Sequence, residues 1–199
     1  MTDAQRTRTQ AKIDRYKKAL ADARARFGSI DDGQGLRYEI PVLQMRLLDL
    51  TGALRYHTWF WKNFPDDIGE PVMYLAWTAL FYHRDERKKA KNYLRSTLFS
   101  NLHLIPQVIG KPVGLYDMWY GSNIEGPSWF EGYDFRSLEF LTPAFRDWLD
   151  EEYRSEEITK EVAHFVELKR KLKDEHDTEK RKVIVGELSK MRYGGRGRS

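Results

Sequence analysis

The residues of this chain whose types could carry acid–base or metal chemistry are five histidines, at 57, 83, 103, 164 and 176, and 30 Asp and Glu. Their spacing supports neither use. His57, His83, His103, His164 and His176 form no HExxH or similarly close pair, and the chain has no cysteine to complete a zinc site. His83-Arg84-Asp85 spells the catalytic-loop triplet of protein kinases. A kinase also needs Asn five residues after the Asp, where this chain has Ala90, and both the Gly-rich loop and the DFG triplet are missing. The triplet is therefore read as a polar stop to a helix. Asp66-Asp67 and Glu156-Glu157 are adjacent in charged runs, whereas two carboxylates that share acid–base work must oppose each other across a cleft. No nucleophile elbow, P-loop or dinucleotide fingerprint occurs. The expectation is a protein that is not an enzyme, with no catalytic residue, no metal and no cofactor.

Binding chemistry has more to work with. Aromatic residues make up 14% of the chain. Trp59, Trp61, Trp77 and Trp148 read as core between helices, while the aromatic residues of 119–135 stand among Gly and Pro, where some could line a groove for a peptide or an unpaired base. The net charge of +4 is uneven, at +5 over residues 1–27, +6 over 169–199 and −7 between. Basic ends of this kind fit contact with nucleic acid through Arg15, Lys17, Lys18, Arg181 and Lys182, joined by Arg196 and Arg198 of a tail similar to RGG segments. The competing reading is a solvated helix face and a solubilising tail. Absence of cysteine excludes disulfides and a thiol nucleophile and is compatible with a reducing compartment. No signal-like apolar core opens the chain, and no apolar run approaches the ~18 residues of a membrane span. A soluble intracellular protein, cytoplasmic or nuclear, is expected, with no membrane partner.

The elements that must position these residues are helical. Asp3 to Phe27 has a thin apolar stripe at Ile13, Tyr16, Leu20 and Phe27, and Gly28 to Gly35 is a turn-rich break. A helix from Leu36 to about Thr51 carries Pro41, either in its first turn or at a kink, and Gly52 is expected to end it. Ala53 to Phe64 is the next helix, closed by Pro65. Residues 70–101 then form a hairpin: Val72, Leu75, Leu80 and Phe81 make one stripe, His83 to Glu86 interrupts it, and Ala90, Tyr93, Leu94, Thr97 and Leu98 begin another. Two helical pairs at a period near 35 residues are the pattern of a solenoid unit. His103 to Gly110 is a short turn or helix, Phe130 to Phe140 a candidate helix, and Pro143 opens another. Beyond Asp150 two charged helices lead to the tail.

Several segments resemble a known family in the right order. DDGQGLRY, Asp31 to Tyr38, resembles the Asn-Asp-Asn-Gln-Gly-Ile-Arg-Tyr type motif that opens the first hairpin of tetratricopeptide-like proteins related to the suppressor-of-tumorigenicity-7 family, with Gln34, Gly35, Arg37 and Tyr38 matching. Asn101 with Ile105-Pro106 and Gly110 is similar to their N-x-x-x-P-x-x-L-G segment, and Trp148-Leu149 to their closing Trp-Leu. The chain departs from the pattern at Asp32-Gly33, at Thr97, where alanine is usual, and at Trp129 to Tyr133. The resemblance spans residues 31–149 and implies a protein-interaction scaffold without catalytic residues. The expected architecture is all-α: a basic N-terminal helix (1–27), a tetratricopeptide-like domain (31–150), charged helices (151–192) and a disordered tail (193–199). A protein or peptide partner would dock on a concave face at Tyr38, Arg46, Tyr74 and Tyr82, because Tyr and Arg are enriched in binding hot spots.

Overall fold

The computed structural model describes residues 1–30 and 32–194. Among these are nine α-helices and no strand: α1 (Asp3–Phe27), α2 (Leu36–Arg46), α3 (Leu50–Asn63), α4 (Pro71–His83), α5 (Arg87–Ser100), α6 (Leu104–Val108), α7 (Pro143–Tyr153), α8 (Glu156–Asp174) and α9 (Thr178–Tyr193). The all-α expectation holds. No helix among the described residues is long and apolar enough to cross a membrane. Helix α9 runs through Tyr193, one residue into the segment expected to be disordered, and the rest of that expectation, at 195–199, lies outside the described residues.

Helix α4 is the centre of the packing. Its sequence suggests a one-sided stripe, yet every residue from Met73 to Phe81 is buried, because α2, α3 and α5 all pack against it. A helix that is apolar all round must be enclosed, since any face left in water forfeits its burial energy. Pro71 opens α4 at a position whose N–H has no intrahelical partner. Thr78 and Thr97 meet where α4 and α5 pack, their hydroxyls 3.1 Å apart. Of the four tryptophans expected in the core, Trp77 is fully buried, whereas Trp59, Trp61 and Trp148 are half-buried against it.

Two boundaries differ from expectation for local reasons. Helix α2 stops at Arg46 and Gly52 does not end it: Leu48 adopts a positive φ of 56°, and Asp49 caps α3 by accepting the Gly52 N–H at 2.8 Å, which places Gly52 in the first turn of α3. The candidate helix at 130–140 is replaced by irregular chain with 3₁₀ turns at Asn123–Glu125, Pro127–Phe130 and Phe135–Ser137. Gly132, at φ +76°, breaks any right-handed helix there.

One carboxylate ties this irregular chain to the C-terminal helices. Glu125 accepts from Lys169 of α8 at 2.7 Å, from Arg192 of α9 at 2.9 Å and from the Gly121 N–H at 2.8 Å. Arg192 also donates to the Phe99 carbonyl at the end of α5, at 2.7 Å, and Ser96 donates to the Arg192 carbonyl. Burial raises the Glu125 carboxyl, but the bonds from Lys169 and Gly121 and the charge of Arg192 outweigh it and hold the group below its usual value. Lys169, 4% exposed, is displaced downward by burial, which Glu125 offsets only in part.

A second buried site is aromatic. The His57 ring stands edge-on to Trp77, Phe81 and Tyr93, with centroids 5.1, 5.2 and 5.4 Å away. Trp61 donates its indole N–H to the Tyr93 oxygen at 3.0 Å, which leaves the Tyr93 proton for His57 Nε2. That bond requires an unprotonated nitrogen. Burial, with a smaller contribution from the charge of Lys89, lowers the imidazole from about 6.5 to about 4.

Two outcomes are expected. Because the folded-state value of His57 lies below its unfolded value, its neutral form favours the fold above about pH 6.5, and that stability is lost as pH falls toward 4, by about 3 kcal/mol. Melting curves of the native chain should therefore fall more steeply over this window than those of His57→Gln; parallel curves would remove the assignment. Glu125→Gln leaves the buried Lys169 and the partly buried Arg192 without their carboxylate and should cost about 3 kcal/mol in urea unfolding, whereas a loss below about 0.5 kcal/mol, normal for a surface site, would contradict the network.

Candidate functional site

Four of the sequence-nominated residues were expected to share one concave face, and the structure separates them. Tyr74 is 0% exposed. It donates its hydroxyl to the Ile68 carbonyl at 2.8 Å, so it belongs to the core and offers no binding surface. Tyr82 is covered by α7: its ring packs on Phe145 and Trp148 at 4.9 and 5.1 Å, its hydroxyl donates to the Ala144 carbonyl, and Arg87 lies over it. Aromatic residues of α7 cover Tyr82, whereas Tyr74 packs against Trp77 and Tyr93 of α4 and α5. Tyr38 and Arg46 do come together, in a cleft of about 490 Å³ between α1, α2, the start of α4 and the irregular chain at 129–138.

A polar knot positions Tyr38. The Asp32 carboxylate accepts the N–H groups of Leu36 and Arg37 at 2.9 and 2.8 Å, which satisfies the opening turn of α2. Arg37 donates to Asp67 through Nε at 2.9 Å and to Asp32 through Nη1 at 3.2 Å. Its planar fork spans both carboxylates, as a lysine could not. The Tyr38 hydroxyl donates to Asp67 at 2.9 Å. Burial, reinforced by Asp67, drives that phenol well above its usual value, so it stays protonated. The Gly69 N–H also donates to Asp67, at 2.7 Å. Gly69 has a φ of +65°, and a β-carbon there would lie 2.3 Å from the Tyr74 hydroxyl, so this turn requires glycine.

Pro41 finds its place in the same region. It is the sixth residue of α2 and has no N–H to give the Arg37 carbonyl. The Tyr56 hydroxyl of α3 donates to that carbonyl instead, at 3.1 Å. The proline thus couples the two helices by leaving an acceptor for the second.

The walls of the cleft mix charge and aromatic surface. Lys12 pairs with Glu39 at 2.7 Å and Arg46 with Glu139 at 3.2 Å. Trp129 and Tyr133 are 39% and 40% exposed, beside the buried Phe130. Burial raises the Glu70 carboxyl, with Arg37 offsetting part of the effect. The aromatic richness of residues 119–135 pointed to Trp129 and Tyr133. Lys12 and Glu70 were missed: each carries one charge in an unremarkable sequence context, and only the fold brings them to the cleft.

The basic residues nominated for nucleic acid are dispersed. Arg15 lies over the Tyr16 ring, and Lys18 pairs with Asp22 at 2.6 Å. Arg181 donates to the Leu172 and Glu175 carbonyls at 2.9 and 2.7 Å, which closes the C-terminus of α8 and commits its guanidinium to structure. Lys182 pairs with Glu179. Helix α1 packs on α2, whereas α9 packs on α5 and α8, so the two sets stand on helices with different neighbours. Arg196 and Arg198 lie outside the described residues. Among the described residues no group of three or more His, Cys, Asp or Glu is placed to hold a metal ion. Comparison with protein-family models, with curated proteins and with solved structures finds no match.

Tyr56→Phe deletes only the hydroxyl and strands the Arg37 carbonyl. It should destabilise the chain by about 1–3 kcal/mol in urea unfolding. Stability within error of the native chain would show that the carbonyl does not depend on this bond.

Proposed function

We propose that the chain is a non-catalytic, tetratricopeptide-like interaction scaffold that holds a peptide segment of a partner protein in the cleft at Tyr38 and Arg46. The observation that carries this reading is the meeting of these two residues with the half-exposed rings of Trp129 and Tyr133 in one cleft of about 490 Å³. Tyr, Trp and Arg are the side chains that dominate binding hot spots. The helix neighbours support the scaffold part: α2 packs on both α3 and α4, and α4 on α5, with short links at 47–49 and 84–86, an order compatible with two stacked hairpins. The resemblance of residues 31–149 to the suppressor-of-tumorigenicity-7 family points the same way. Nucleic acid is the weaker reading, because Arg181 is spent on a helix terminus.

A random peptide library displayed against the full chain tests the proposal. Enriched peptides should bind Trp129→Ala and Arg46→Ala about 30-fold more weakly, as expected for hot-spot losses near 2 kcal/mol, while the melting temperatures of both variants stay close to native. Failure to enrich any peptide, or enriched peptides that bind both variants as well as the native chain, would overturn it.

A further inference from the structure

A second groove, of about 750 Å³, runs between α1 and α3, on residues unrelated to the cleft above. Its apolar lining is Leu20 and Tyr56, already buried, with Ile30 and Trp59 partly exposed above them. Along α1, Lys17, Ala21, Arg24 and Ala25 line it. They stand at i, i+4, i+7 and i+8, the spacing of one helix face. Ala21 and Ala25 are exposed and extend no further than a β-carbon, so another backbone can approach closely. The lining reaches from Gln10 to Ala25, about 22 Å at the α-helical rise, or four turns.

The rim carries charge that the fold leaves uncompensated. Lys17 and Arg55 are exposed and, among the described residues, have no carboxylate within ion-pair distance. Arg24 donates to the side-chain carbonyl of Asn63, at 2.8 Å, which carries no charge to offset it. Among the described residues the one carboxylate lining the groove, Asp49, is already engaged as the cap of α3. The groove therefore presents an apolar strip with cations along its edges.

We propose that this groove docks an acidic amphipathic helix of a partner protein, its apolar face on the partly exposed Ile30 and Trp59 and its flanking carboxylates on Lys17, Arg24 and Arg55. An α-helix matches the straight four-turn length and the small-residue wall. Nucleic acid fits less well, because phosphates would leave the apolar floor uncovered. The Trp59 ring is already packed against Tyr56 and Phe64, at 5.1 and 5.8 Å, and so is not free to sandwich a base.

Fluorescence-polarisation titrations of the full chain test this with three labelled probes: an amphipathic helix of about 18 residues with Leu on one face and Glu on the flanks, the same peptide with Lys for every Glu, and a single-stranded RNA oligonucleotide. The Glu peptide should bind, and the Lys peptide should bind at least about tenfold more weakly. The pair Lys17→Glu and Arg55→Glu should reverse that order, and Ala21→Trp should block both peptides without lowering the melting temperature. Trp129→Ala, in the other cleft, should leave the titration unchanged, which keeps failure here separate from failure of the peptide cleft. The proposal is overturned if the Glu peptide does not bind, if both peptides bind alike, or if charge reversal has no effect. RNA that displaces the Glu peptide and loses affinity on Arg55→Glu would overturn it in favour of nucleic acid.

Discussion

The enclosure of α4 is the constraint on which the other helices depend. Nine consecutive residues from Met73 to Phe81 are buried, and each large apolar side chain among them contributes about 1.5–3 kcal/mol only while water is kept off it. Short links bring α5 against one side, and α2 and α3 close the others. Aromatic rings do much of the closing. Trp77 sits within 5.1–5.9 Å of the rings of Phe60, Trp61, Tyr74 and Tyr93, and large rings fill such a space with few side chains to order. His57 and the Tyr93 hydroxyl are bonded to each other in this region, whereas the buried Trp77 indole N–H has no hydrogen-bond partner among the described residues. That unpaired N–H is a cost of about 1–3 kcal/mol which the burial of the large Trp77 ring must offset.

Beyond that core, buried charges organise the structure in two separate knots. Arg37 gathers Asp32 and Asp67 and fixes the entry to α2 relative to the link before α4. Glu125 gathers Lys169 and Arg192 and fixes irregular chain against α8 and α9. Replacing both partners of a buried ion pair by apolar groups is often neutral, whereas deleting one partner is costly, so such knots define position more than they add net stability. Position is what the cleft needs: the first knot presents Tyr38, and the segment that the second anchors continues into Trp129 and Tyr133.

Local chemistry explains which parts of this were legible beforehand. The bounds of α1 could be read because Gly28 takes the left-handed conformation that ends a helix, and the starts of α4 and α7 because Pro71 and Pro143 suit a first turn. Gly52 misled because glycine near a helix boundary looks the same as a stop or as a residue whose N–H meets a cap, and only the positive φ of Leu48 separates the two. Tyr74 and Tyr82 misled because hot-spot composition describes a residue type, and burial decides whether that residue is available. Residues 119–138 resisted reading since their order comes from distant partners such as Lys169 and Arg192, which no local pattern encodes.

Helix α1 joins the two surfaces, and its own attachment is slight. Of its 25 residues only Thr9, Ile13 and Leu20 are buried. Tyr16 packs partly buried against the core, and polar links at the surface run from Arg6 to the Leu47 carbonyl, Lys12 to Glu39 and Arg24 to Asn63, where each contributes about 1 kcal/mol or less. Lys12 walls the aromatic cleft, and Lys17, Ala21 and Arg24 wall the groove. A substitution at Ile13 or Leu20 would therefore disturb both surfaces at once through the seating of α1 and could not tell them apart. Trp129 and Arg55 can, because each belongs to one surface only and neither lies on the helix that they share.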